Sequence, residues 1–257
     1  MILIDTHAHL YSEEFAGDPE MMIARARSTG VGRVLMPAID ATTHEKMLEL
    51  EKKHPDLCLS MMGLHPTSVK EDYQEELKVA EAHFQRRKFI AVGETGLDFY
   101  WDLTFKEQQF DAFRRQIGWA LQYDIPVVIH SRNSTDECIE VIRENQNGKL
   151  KGVFHCFSGN AEQARQIAEL GFYLGIGGVL TFKNSGLDKV LAGVDLAHMV
   201  LETDAPYLAP VPFRGKRNES GYIIYVAEKL AEVKGKGVEE VAEVTTGNAS
   251  KLFGLRG

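Results

Sequence analysis

The stretch Met1-Ile2-Leu3-Ile4-Asp5-Thr6-His7-Ala8-His9 joins an apolar run to two histidines spaced by one residue. The run Met1–Ile4 reads as a short buried strand. Side chains on a strand alternate faces, so His7 and His9 point the same way. Two imidazoles on one face at the end of a strand make half a metal site. A lone His-x-His arises often by chance, so the other ligands must come from elsewhere in the chain.

Moving outward, the apolar runs recur with a steady beat. Arg33–Pro37, Leu57–Met62, Phe89–Glu94, Pro126–His130, Gly152–His155, Phe172–Ile176 and Met199–Glu202 are the second to eighth candidate strands. Charged segments with helical spacing lie between them, among them Thr43–Lys53, Gln74–Arg87, Glu107–Tyr123 and Ala161–Leu170. Strand then helix, eight times, predicts an α/β chain folded as a closed (β/α)8 TIM barrel. An open doubly wound sheet is the alternative that strand order alone leaves standing. After Pro212 come a polar loop, two expected helices at Gly221–Lys234 and Val238–Val244, and a short last helix capped by Asn248. No linker or repeat interrupts this pattern, so residues 1–257 read as a single domain with extra C-terminal helices.

Composition narrows the class. A chain of 257 residues suits one barrel of that kind. Its net charge of -8 argues against a protein that coats nucleic acid through a broad basic surface. It leaves room for a nuclease that holds phosphate with metals and a few local cations. No apolar run reaches the ~18 residues of a membrane span, and the first residues lack the pattern of a signal peptide. The three cysteines form no Cys-x-x-Cys pair, so a reducing cytoplasm is the expected compartment.

The polar residues then fall at strand ends. His7 and His9 leave the first strand, and His65 follows the third. Glu94 ends the fourth, His130 the fifth and His155 the sixth. Asp204 follows the eighth. In a parallel barrel those ends converge on one rim, where active sites sit. Imidazole with carboxylate suits zinc, manganese or iron, and a carboxylate can bridge two ions. Glu94, central in the rim order, is the expected bridge. His7, His9 and Asp204 come from strands one and eight, which closure makes neighbours, and would hold a first ion. His130 and His155 would hold a second.

Taken together, His7-Ala8-His9, Gly63-Leu64-His65-Pro66, Gly93-Glu94-Thr95-Gly96-Leu97-Asp98, His130-Ser131-Arg132, His155-Cys156-Phe157-Ser158-Gly159 and Glu202-Thr203-Asp204-Ala205-Pro206-Tyr207 resemble the TatD family of metal-dependent deoxyribonucleases, barrels of the amidohydrolase superfamily. The resemblance extends to Arg214-Gly215-Lys216-Arg217-Asn218-Glu219. It implies His7, His9, Glu94, His130, His155 and Asp204 as ligands, and His65 as a contact to the substrate phosphate or leaving group. Ser220 stands where that family leads one to expect proline, a departure expected to bear on loop stiffness.

The expected reaction is hydrolysis of DNA phosphodiester bonds by water activated between two divalent ions (Zn, Mg or Mn), at single strands or strand ends. Asp204 would accept the water proton, Glu94 would hold the ion spacing, and His65 would steady the leaving oxygen. Arg132, Arg214, Lys216 and Arg217 are candidate phosphate contacts. Tyr100, Trp101 and Phe157 could stack on a base, and Asp5 and Glu202 could orient ligands. A monomer is favoured. The competing readings are an esterase, lactonase or deacylase acting on another substrate, and a binding protein that keeps a structural metal.

Overall fold

The computed structural model describes residues 1–255, so Arg256 and Gly257 of the expected domain lie outside it. Among the described residues, eight strands alternate with helices. They run β1 Leu3–Asp5, α1 Pro19–Ser28, β2 Val31–Met36, α2 Ala41–Lys53, β3 Cys58–Ser60, α3 Tyr73–Arg86, β4 Val92–Asp98, α4 Lys106–Tyr123 and β5 Val127–Arg132. They continue α5 Thr135–Asn145, β6 Gly152–Phe154, α6 Ala161–Glu169, β7 Tyr173–Ile176, α7 Leu187–Ala192, β8 Met199–Leu201, α8 Ile223–Lys234 and α9 Val238–Phe253.

The strands pair in parallel, in the orders β1-β2-β3 and β4-β5-β6-β7-β8. Single parallel bridges, Met62 to Val92 and Ala8 to Ala205, join the two sheets at both seams. The β1/β8 seam is reinforced where Thr6 N–H donates to Leu201 O at 3.0 Å, Asp204 N–H to His7 O at 2.8 Å and His9 N–H to Ala205 O at 2.7 Å. The ring of strands closes, and the barrel is the architecture that the eightfold beat predicts.

Closure sets which way side chains face. Ile4, Leu35, Met61, Val128, Val153 and Val200 form one buried inner cluster, and Leu252 and Phe253 at the end of α9 pack on it. The alternate residues, such as Val34, Val127, Ile129 and Leu201, pack outward with the helices. Each such side chain, fully buried, contributes about 1.5–3 kcal/mol. Counting on by twos from Val128, Val153 and Val200 places His130, His155 and Glu202 on the inward face.

Two elements differ from the sequence expectation. The fourth strand does not stop at Glu94: it begins at Val92 and runs to Asp98. The Gly93-Glu94-Thr95-Gly96 segment looks like a turn but is a strand with a register shift against β5. Gly96 permits it, because at φ +128° a Cβ there would lie 2.1 Å from His130 O. The chain end is one helix, α9, rather than two. Thr245 Oγ1 returns a hydrogen bond to Val241 O inside the helix. Asn248 caps nothing; its amide donates to Leu196 O at 2.9 Å and Met199 O at 2.7 Å, on the approach to β8. A tertiary partner outweighed the breaker composition of Thr245-Thr246-Gly247-Asn248.

Candidate metal centre

At the C-terminal ends of the strands the histidines and acids expected there converge around Glu94, which is buried. Its two oxygens face different neighbours. Oε2 lies 3.1 Å from His7 Nε2 and 3.7 Å from His9 Nε2. Oε1 lies 3.0 Å from His130 Nδ1, 3.2 Å from His155 Nε2 and 3.4 Å from His65 Nε2. Asp204 Oδ1 completes the first side, 3.9 Å from His7 Nε2 and 3.7 Å from His9 Nε2. Three groups, His7/His9/Glu94, His7/His155/Asp204 and His65/Glu94/His130, each bring ligand atoms within 4.8 Å of one another.

The hydrogen bonds on the far side of each ring decide what the near nitrogen can do. Tyr11 donates its phenol proton to Pro37 O at 2.5 Å, so at 3.0 Å it must accept from His9 Nδ1–H. His9 therefore turns an unprotonated Nε2 inward. Asp98 Oδ2 accepts from His130 Nε2–H at 2.8 Å, leaving Nδ1 as the inward atom. Glu202 Oε1 accepts from His155 Nδ1–H at 3.0 Å and from Cys156 N–H at 2.6 Å, leaving His155 Nε2 inward. Gly175 makes room for Glu202, since a Cβ there would lie 2.2 Å from its Oε2. His7 is the exception: its buried Nδ1 has no partner, and its ring stacks on His155 with centroids 3.6 Å apart. Lone pairs of braced imidazoles aimed at a shared carboxylate fit divalent cations.

His65 has the opposite polarity. Its Nδ1 accepts from Thr67 N–H at 3.1 Å, so its proton sits on Nε2, the nitrogen facing the cavity. A neutral ring of that tautomer donates a hydrogen bond inward and offers no inward lone pair.

Electrostatics follow from burial and crowding. Burial opposes the Glu94 charge, yet the facing imidazoles His65, His155 and His7 hold its carboxyl well below the usual range. Burial, then the neighbouring His7, lowers His9 well below its ordinary value and keeps it neutral. For His155, burial is outweighed by Glu202 and Glu94, which raise it. Burial pushes Asp204 up to about 7, against the pull of His155. A cation entering here would displace protons and replace them as the balancing charge.

A cavity of about 420 Å³ opens over the centre, with Trp101, Arg132, Tyr207 and Leu208 on its lining. Arg132 thus reaches the cavity. Tyr100 is not on the lining, but its ring lies 3.8 Å beneath the Arg132 guanidinium. Arg214 is elsewhere: its guanidinium lies 4.1 Å from the Phe182 ring and is not on the lining. Arg217 is held by Asp18 at 2.6 Å. Arg25 joins Asp18 to Glu219, at 2.7 Å to each. That loop is therefore tied to α1. Phe157 is buried in the outer core rather than presented to the cavity.

Sequence reasoning assigned no role to Asp98 or Tyr11. Asp98 carries the signal that flagged His9, since it continues the period-two series from Glu94 and Gly96, whereas Tyr11 lies in the turn just after His9 and carries no such signal. Ending the fourth strand at Glu94 hid that series. Glu202 does orient His155, as parity suggested. Ser220 does more than relieve stiffness. Its hydroxyl donates to the buried Asp5 Oδ2 at 2.6 Å, beside a 2.6 Å bond from Thr203 Oγ1, and so helps tie β1 to the turn after β8.

The family described as TatD related DNase matches residues 4–254. The chain is similar to the uncharacterized metal-dependent hydrolase YabD of Bacillus subtilis, at 38% identity over 253 residues covering 98% of this chain and 99% of that protein. It is also similar to the 3'-5' ssDNA/RNA exonuclease TatD of Pantoea ananatis, at 31% identity over 98% of this chain and 100% of that one. Among solved structures it resembles YjjV, the TatD homologue of Escherichia coli K12, with a TM-score of 0.93 and 32% identity over 99% of this chain and 98% of that chain. A match along almost the whole chain, over a rim of braced histidines and acids, places this protein in the TatD family of metal-dependent hydrolases.

Proposed function

We propose that this protein is a metal-dependent deoxyribonuclease that hydrolyses phosphodiester bonds at the end of a single DNA strand. The observation that carries the reading is the division of Glu94. One oxygen faces His7 and His9, and the other faces His130 and His155. His7, His9 and Asp204 would hold one divalent ion (zinc, magnesium or manganese), His130 and His155 a second, and Glu94 would belong to both. When bound, such ions acidify water and polarise a phosphoryl oxygen.

The side chains supply the rest. Asp204 stands at the cavity with its carboxylate beside His7 and His9, placed to accept the proton released by the attacking water. His65 offers its Nε2–H to the phosphate or to the departing oxygen. Arg132 brings a fixed positive charge to the cavity edge, where a phosphate can accept two parallel hydrogen bonds. The chain would act as one domain and as a monomer. No described helix is long and apolar enough to cross a membrane.

The test is degradation of end-labelled single-stranded DNA by metal-stripped protein with each ion restored in turn, beside Glu94→Ala. Metal-dependent products that vanish in the variant are expected. Turnover of a lactone or simple ester with no DNA cleavage under any ion would replace the nuclease with an esterase on the same centre.

A further inference from the structure

We propose that Trp101 is a stacking platform for the terminal base of an unpaired strand, so that substrate is selected by its base as well as its phosphate. The proposal rests on the nuclease reading and names a specificity residue for it. Trp101 is 67% exposed although it lines the cavity over the metal centre. Its neighbours Tyr100 and Leu103 are 53% and 58% exposed. A soluble protein rarely leaves contiguous large apolar side chains uncovered at a site's mouth unless a ligand covers them.

The platform is held in place. Asp98 Oδ1 accepts from both Tyr100 N–H and Trp101 N–H, at 3.0 and 3.2 Å. The other oxygen of the same carboxylate holds His130. Gln109 in turn grips the Asp98 backbone, donating to its carbonyl at 3.2 Å and accepting from its N–H at 2.8 Å. One buried residue therefore fixes the aromatic loop relative to the chemistry. Arg132 sits over this loop, 3.8 Å from the Tyr100 ring centre and 5.2 Å from that of Trp101. A cation braced on aromatic rings pairs a phosphate grip with a surface for a planar base. Across the ring of strands, where the chain leaves β8, Tyr207 and Leu208 bound the same cavity. A cavity of about 420 Å³ walled on both sides accepts a single splayed nucleotide, and a paired base would have to leave its stack to enter.

The experiment compares a single-stranded oligonucleotide with the same oligonucleotide carrying abasic tetrahydrofuran residues at both ends, in the metal-loaded enzyme. Stacking on an aromatic ring predicts a KM about tenfold higher for the abasic ends in the wild type. In Trp101→Ala that ratio falls toward one, and in Trp101→Phe most of it returns. Metal content and melting temperature of each variant report on folding separately. A wild type that cleaves both oligonucleotides with the same KM overturns the stacking and leaves the nuclease standing. So does a ratio that survives in Trp101→Ala. Failure of the wild type to cleave either one overturns the nuclease reading, and the platform with it.

Discussion

The two sides of Glu94 are built differently. On the Oε2 side, His7 and His9 come from one short stretch after β1, and Asp204 reaches them across the β1/β8 seam. The brace there is a neutral phenol, Tyr11, which accepts from His9 and donates its own hydrogen bond to the Pro37 carbonyl. On the Oε1 side, His130 and His155 come from separate strands, and each is braced by a buried carboxylate, Asp98 or Glu202. A carboxylate behind an imidazole raises its basicity and fixes its tautomer more firmly than a phenol can. The contrast teaches that the second side depends on residues distant in sequence to orient its ligands, whereas the first is oriented largely by local alternation.

The comparison can be broken outright at its centre. Glu94→Ala removes the group shared by both sides, so metal per chain, measured by elemental analysis, should fall to near zero. kcat/KM should fall about 1000-fold or more, the equivalent of about 4 kcal/mol of transition-state stabilisation.

A one-sided lesion sharpens it. Asp98→Asn keeps an acceptor for Tyr100 and Trp101 but turns an N–H toward His130 Nε2–H. One of the two donors must give way, so affinity for one ion should weaken by about 10- to 100-fold while the other stays bound. Metal titration resolves the two steps, and equal weakening of both would show that the sides are not independent. Tyr11→Phe removes the acceptor from His9 Nδ1–H. It should weaken the other ion, by about tenfold or less, in the same titration.

The mildest change lies outside the comparison. Arg217 is tied to Asp18 and lies near Glu219 rather than facing the cavity. In Arg217→Ala, kcat/KM on single-stranded DNA should stay within about twofold, and the melting temperature should drop by about 2 °C or less, as an ion pair that is still partly open to solvent contributes little. A large loss of activity would return that loop to the substrate.

Much of this was legible because strands repeat with period two and barrels gather strand ends. His7, His9, His130, His155 and Asp204 could be placed on one rim before any coordinate was known, since alternation is local and the eightfold beat is countable. The barrel itself followed from the same beat. Asp98 sits on the same kind of series, hidden by ending the fourth strand at Glu94, whereas Tyr11 lies in the turn after His9, where alternation gives no guide.

What only the tertiary structure decided is which partner each polar atom met. Composition around Asn248 and Gly247 signals a helix break, yet the carbonyls of Leu196 and of Met199 at the start of β8 satisfy Asn248 and the helix runs on. The cluster from Arg214 to Arg217 has the composition of a phosphate grip, but Asp18, just before α1, holds Arg217, while Arg214 lies against Phe182. The polarity of His65 turned on one backbone N–H at Thr67. Periodicity specifies which face a side chain occupies. Hydrogen bonds, ion pairs and tautomers depend on separations of about 3 Å between chain-distant groups, and only the closed barrel sets those.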